Sequence, residues 1–228
     1  MNDLEHYFLN NPGRLIDKWQ HYFEIYDRHF SRYRGQPVNV VEIGVYKGGS
    51  LQMWKHYFGP KAHIYGIDID PKCQTFAEPQ IEILIGNQED RQFLRSVKQR
   101  IPTIDILIDD GGHTMQQQIV TFEELFPHVA PDGFFLCEDL HTSYWKEYGG
   151  GYRKPGTFIE YSKNLIDQLN AWHARKPARQ WRPPFREPEL SLSDFSRSTH
   201  SLHFYDSVLV IEKQPRERPT HSKTGRED

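Results

Sequence analysis

Five short apolar runs, each followed by a glycine, an acid or both, constrain this chain more than any other feature. They occupy residues 38–44, 62–70, 81–86, 104–108 and 134–137. Apolar runs of this length, bounded by glycine and aspartate, read as buried strands of a parallel sheet. Helical-period segments follow the first, third and fourth runs, with the clearest at 116–126 carrying Ile119, Val120, Phe122 and Leu125 on one face. Late in the chain, 201–212 carries two strand-like stretches around Tyr205-Asp206-Ser207, which fits a closing antiparallel hairpin. The expected fold is therefore α/β and Rossmann-like, a mostly parallel sheet with helices on both faces and a C-terminal antiparallel hairpin.

Acidic residues stand at the carboxyl ends of these runs, the edge where open α/β sheets bind ligands. Asp109, Asp110 and His113 follow the fourth run, and Glu138-Asp139 follows the fifth. Two adjacent strand ends would gather them at one place. Three carboxylates can take a hard divalent cation such as Mg2+, which prefers oxygen ligands. The expected metal set is Asp110, Glu138 and Asp139, with His113 as general base because imidazole titrates near neutrality. Singly, each residue has a plainer reading: Asp109 and Asp110 as turn and capping acids, His113 as a loop histidine, Glu138-Asp139 as strand-end acids. Together they point to a site.

The first run passes into Gly44-Val45-Tyr46-Lys47-Gly48-Gly49-Ser50 and then a helix. Glycines let a ligand approach the backbone, and a helix start offers free N–H groups. The spacing is not that of the dinucleotide fingerprint. Glu42-Ile43-Gly44 instead resembles the corresponding turn of class I methyltransferases that bind S-adenosylmethionine. Glu42, Gly44, Tyr46 and Ser50 are expected on the cofactor side. Asp68, at the end of the second strand, is placed for ribose hydroxyls, while Asp70 reads as a turn acid. Gln88 and Asp90 fall, by fold analogy, where such a sheet meets adenine; Asp90 serves equally well as a helix cap. Asp109 is assigned a supporting place on the cofactor side.

Composition sets the remaining bounds. With 228 residues the chain suffices for one α/β domain. A net charge of -3 argues against a nucleic-acid binder driven by charge. The two cysteines, Cys73 and Cys137, lack metal or redox spacing and read as reduced thiols. No signal peptide or membrane span is expected, so the localisation expected is cytoplasmic. Residues 1–35 read as a helical segment, broken at Asn11-Pro12-Gly13, that packs on one edge of the sheet, with a lid or an oligomer contact as the other reading. Residues 146–156 read as a flexible loop, 157–175 as an amphipathic helix, 176–188 as a basic proline-rich linker with Arg179, Arg182 and Arg186, and 214–228 as a disordered tail.

Longer motifs carry a closer resemblance. Asp-Asp-Gly-Gly-His, Leu-Phe-Pro-His-Val, Pro-Asp-Gly-Phe-Phe, Glu-Asp-Leu-His-Thr-Ser-Tyr-Trp and Leu-His-Phe-Tyr-Asp-Ser-Val-Leu-Val-Ile-Glu-Lys are similar to segments of the metal-dependent sugar O-methyltransferases of macrolide biosynthesis, of the mycinamicin 3''-O type. The resemblance covers roughly residues 36–213 and does not include the N-terminal auxiliary domain of those enzymes; the glycine turn here is also shorter. It implies a class I methyltransferase domain at 36–213, the cofactors S-adenosylmethionine and Mg2+, metal carboxylates at Asp110, Glu138 and Asp139, a base at His113, and cofactor acids at Glu42 and Asp68. The partner implied is a small-molecule hydroxyl acceptor, a sugar or glycoside, with no nucleic acid or membrane and with room for a homo-oligomer. Two alternatives are a methyltransferase for a catechol-like diol, and a non-catalytic partner of the cephalosporin hydroxylase type.

Overall fold

Seven strands form one sheet in the order β3-β2-β1-β4-β5-β7-β6. The structure is a computed structural model and describes residues 1–174 and 191–226. The parallel strands are β1 (Asn39–Ile43), β2 (His63–Asp68), β3 (Ile81–Ile85), β4 (Ile104–Asp109) and β5 (Val129–Cys137), while β6 (Thr199–Tyr205) and β7 (Val208–Lys213) close the sheet as an antiparallel hairpin. The chain steps from β1 outward to β3, then returns to place β4 on the other side of β1. That reversal makes a crevice at the carboxyl ends of β1 and β4, the position where such sheets take ligands.

Alternation along the strands supplies both faces with apolar side chains, as the 2-residue period of a strand requires. Val40, Ile106, Ile108, Phe134, Leu136, Val208 and Val210 pack with one buried cluster. Val41, Ile43, Leu107, Phe135, Cys137, Leu209 and Ile211 pack with the other. The first face is covered by α1 (Asp3–Leu9), α2 (Tyr22–Phe30) and α3 (Gly49–Phe58) through Leu4, Phe23, Tyr26, Phe30, Trp54 and Phe58. The second is covered by α4 (Arg91–Arg100), α5 (Met115–Leu125) and α6 (Phe158–Leu169). Each large apolar side chain buried here contributes about 1.5–3 kcal/mol relative to exposure.

Several expected boundaries shift. The break in the N-terminal helical segment is longer than Asn11-Pro12-Gly13: between α1 and α2 the chain runs through 10–21 without a helix or strand, crosses the N-terminus of α3 and enters the crevice. The fifth strand begins at Val129, earlier than its apolar run, because Ile104 pairs with Val129 across a register shift. The loop 146–156 is tied by Gly150 N–H to the Trp145 carbonyl (2.8 Å) and Gly151 N–H to the Ser143 carbonyl (2.8 Å). The helix expected over 157–175 is α6, followed by a 3-10 turn at Ala171–His173. The C-terminal α7 (Asp194–Ser198) precedes β6, and residues after β7 start by pairing back, with Gln214 N–H on Ser198 and Arg216 N–H on Arg197. The basic segment with Arg179, Arg182 and Arg186 lies outside the described residues. Among the described residues no helix is long and apolar enough to cross a membrane.

Candidate active site

The ladder of backbone hydrogen bonds continues past the ends of β1, β4 and β5. Asp110 N–H donates to the Ile43 carbonyl (2.9 Å) and Glu138 N–H to the Asp109 carbonyl (3.0 Å). This holds the two acidic clusters side by side at the rim of a cleft of about 990 Å³, lined by Lys18, Trp19, Tyr22, Gly44, Tyr46, Ser50, Asp110, His113, Glu138 and Asp139 among others. Of the residues expected from the sequence, Gly44, Tyr46, Ser50, Asp110, His113, Glu138 and Asp139 share this one cavity.

The backbone at the rim is unusual. Tyr46, His113 and Asp139 adopt left-handed conformations with φ of 51°, 56° and 54°. Such conformations cost free energy for residues with a Cβ, and they concentrate where a side chain must be aimed. Gly44 (φ +98°) is required differently: a Cβ there would stand 1.9 Å from the Asp110 carbonyl oxygen. The missing side chain is what lets β1 and β4 deliver their ends to one point.

Asp110, His113 and Asp139 each offer a ligand atom within 4.8 Å of the others. His113 Nε2 lies 3.4 Å from Asp139 Oδ2 and 3.8 Å from Asp110 Oδ1. Tyr22 donates its hydroxyl to Asp139 Oδ1 at 2.7 Å. Glu138 lines the same cleft but takes other partners. Its Oε1 accepts from Tyr26 (2.7 Å), and both of its oxygens accept from Lys18 Nζ, at 3.0 and 2.9 Å. The expected carboxylate trio is therefore not gathered on one point; the converging set has His113 in the place of Glu138. Two carboxylates from neighbouring strand ends remain a fitting donor set for Mg2+, which often binds through one or two protein carboxylates and keeps several waters.

Lys18 is a cleft residue that no sequence pattern selects. Its side chain is 2% exposed, and its ammonium also reaches Asp110 Oδ2 (2.5 Å) and Glu42 Oε1 (3.4 Å). Burial, the largest influence, would lower its pKa, but Asp110, Glu138, Tyr26 and Glu42 together outweigh it and hold the ammonium charged, well above the usual lysine range. Burial raises the pKa values of Glu42, Asp110 and Glu138, and Lys18 opposes the rise at each. No local pattern marks Lys18, because its partners lie 24, 92 and 120 residues away.

The remaining expected residues sit around the cleft rather than in it. Glu42 is fully buried, accepting from Ser50 Oγ (2.6 Å) and Trp54 Nε1 (3.1 Å). Asp68 Oδ2 accepts the Val45 and Tyr46 N–H groups at 2.9 and 3.1 Å, so it shapes the glycine turn. Gln88 is buried, donates to Asp109 Oδ1 (3.1 Å) and Thr121 Oγ1 (3.2 Å), and accepts from Gly112 N–H (2.9 Å). Asp90 is exposed and caps α4 by accepting from the Gln92 and Phe93 N–H groups. Asp109 is buried under the loop, its pKa raised to about 6 first by burial. Residues 146–156 do not line the cleft.

A parallel sheet reversing at β1/β4, a glycine turn after β1 and acids at the ends of β2, β4 and β5 define the class I methyltransferase fold. Residues 41–140 match a family model described as a methyltransferase domain. Within that class the chain is similar to sugar O-methyltransferases of antibiotic biosynthesis. It is 38% identical over 208 residues to 8-demethyl-8-alpha-L-rhamnosyl tetracenomycin-C 2'-O-methyltransferase of Streptomyces olivaceus, covering 87% of this chain and 52% of that protein. Identity to mycinamicin VI 2''-O-methyltransferase of Micromonospora griseorubida is 39% over 198 residues, covering 82% and 47%. The structure aligns with the MycE methyltransferase of the mycinamycin pathway, solved with Mg, SAH and mycinamycin VI, at a TM-score of 0.79 and 35% identity, over 94% of this chain and 54% of that one. The chain thus spans about half the length of these relatives.

Proposed function

We propose that this protein is an S-adenosylmethionine- and Mg2+-dependent O-methyltransferase acting on a hydroxyl of a sugar or glycosylated natural product. The observation that carries the reading is the convergence of Asp110, His113 and Asp139 within 4.8 Å beside the glycine turn. It supports a reading in which acid ligands and a base share the cleft with the glycine turn, whose bare backbone would face the cofactor. The relatives' names and the MycE complex support the substrate class and both cofactors.

S-adenosylmethionine supplies an electrophilic methyl group, and Mg2+ supplies a Lewis acid that lowers the pKa of a bound hydroxyl. Gly44 offers bare backbone to the cofactor, and Ser50 and Tyr46 flank it. Asp110 and Asp139 are the residues that would hold the metal, with Glu138 as a third carboxylate. His113 takes the proton of the acceptor hydroxyl on Nε2, the nitrogen turned to both aspartates. Tyr22 fixes Asp139 and so fixes the face His113 works against. Trp19, 56% exposed at the cleft mouth and edge-on to His141, offers a flat wall for an acceptor ring. Holding both reactants aligned is the protein's larger contribution.

The test is methyl transfer to a rhamnosylated or deoxysugar-bearing polyketide glycoside, with and without chelator, for the wild type and His113→Ala. The expected result is turnover that needs Mg2+ and falls by about 10²-fold or more in the variant, the usual contribution of a general base, with cofactor affinity retained. Unchanged turnover in excess chelator would remove the metal, and unchanged turnover in His113→Ala would remove the base.

A further inference from the structure

Lys18 stands where the acid nest would otherwise be an unbalanced cluster of negative charge. Its ammonium contacts both oxygens of Glu138 and one of Asp110, and reaches Glu42. A Mg2+ ion bound by Asp110 and Glu138 would lie about 2 Å from their oxygens. An ammonium hydrogen-bonded to those same oxygens would then sit within a few ångströms of a divalent charge, at 2% exposure, where little water screens the repulsion. The two cations exclude each other at Glu138.

We propose that Lys18 is a built-in cation of the acid nest, and that a divalent ion gains Glu138 only by displacing it. The inference rests on the metal reading above. The backbone around Lys18 is suited to the exchange. Among the described residues, no backbone N–H of residues 15–18 donates a hydrogen bond and no backbone carbonyl of 15–18 accepts one, so moving Lys18 breaks no backbone hydrogen bond of its own segment. The stretch is anchored outside itself. On one side Arg14 reaches the Phe76 carbonyl (2.9 Å) and Glu78 (3.2 Å), and on the other Tyr22 holds Asp139. Between these anchors, Lys18 can leave the nest while the ends stay in place. Paired as it is, the lysine neutralises carboxylates that would otherwise repel one another; once it is displaced, Glu138 would be free to join Asp110 and Asp139 on the ion.

Two measurements with Mg2+ alone test this, neither reading activity. Calorimetry compares the wild type with Lys18→Met and Lys18→Arg. Lys18→Met should bind Mg2+ about tenfold tighter or more, because the competing charge is gone, while Lys18→Arg should bind no tighter than the wild type. Equal or weaker binding by Lys18→Met overturns the proposal and leaves the metal reading standing; no binding by any of the three overturns both. Amine acylation followed by peptide mass spectrometry reads the wild type directly, so the proposal stays testable even where Lys18→Met does not fold. Lys18 should be protected without Mg2+ and labelled with it, measured against exposed Lys72. A Lys18 that stays protected in protein saturated with Mg2+ overturns the exchange.

Discussion

Gly44→Ala isolates the contact on which the site geometry depends. Two costs can be separated. The first is conformational: Gly44 has φ +98°, and an L-residue with positive φ costs about 1–2 kcal/mol. The second is steric: the new Cβ would stand 1.9 Å from the Asp110 carbonyl oxygen and 2.7 Å from its carbon, both backbone atoms without a rotamer to yield. Relief requires the Asp110 peptide to retreat by roughly 1 Å, against the Asp110 N–H bond to Ile43 and the β1–β4 ladder. We expect about 3 kcal/mol or more of destabilisation in total, in the range of overpacked interiors. Gly35→Ala is the control, since Gly35 also has positive φ (+72°) but nothing within 4 Å of the added Cβ; it should lose only about 1 kcal/mol. Urea unfolding of both variants gives the difference, and Mg2+ calorimetry on the folded Gly44→Ala protein reports whether Asp110 has moved. A Gly44→Ala variant as stable as Gly35→Ala, with wild-type Mg2+ affinity, would refute the account of how the strand ends are brought together.

Two predictions concern the scaffold away from the cleft. His29 is buried beside Tyr205 and His203, and its pKa is lowered to about 4, first by burial and then by His203. Its folded form stays neutral while the unfolded chain takes a proton below about 6.5, so stability falls as pH drops from about 6.5 to about 4, by up to about 3 kcal/mol. His29→Gln should flatten that part of the stability–pH curve in urea titrations, and an unchanged acid slope would count against it. Lys213 donates to the carbonyls of Phe126, Pro127 and Val129 at 3.2, 2.9 and 2.5 Å. Lys213→Met leaves buried acceptors without a donor and should cost about 1–3 kcal/mol; a thermal midpoint equal to that of the wild type would show that those carbonyls find other partners.

Much of this architecture is local information. The apolar runs at 38–44, 62–70, 81–86 and 104–108 became β1 to β4 because a strand buried on both faces needs only its own residues to be apolar. The glycine turn, the helix at Met115–Leu125 with its Thr114 cap, and the hairpin turning at Asp206-Ser207 are likewise written over a few residues. The strand-end position of the acids followed from the same pattern, and with it the gathering of Asp110, His113 and Asp139.

What the tertiary structure alone decided lies in the pairings across the chain. Periodicity in 1–35 suggested helix on either side of a break at Asn11-Pro12-Gly13, yet the whole of 10–21 leaves the helical path. Lys18 lies in that stretch, paired with acids up to 120 residues away whose position no local pattern reveals. Glu138 and Asp139 are neighbours in sequence with the same chemistry. Both line the cleft, but with the left-handed turn at Asp139 that residue meets His113, while Glu138 pairs with Lys18 and Tyr26. Gln88 and Asp90, paired by analogy, separate into a buried brace for the loop at Gly112 and an exposed helix cap. A sequence states which groups are available at a strand end; which partner each group takes is settled by charge and burial once distant segments meet, since a buried carboxylate must find its counter-charge wherever the fold supplies one.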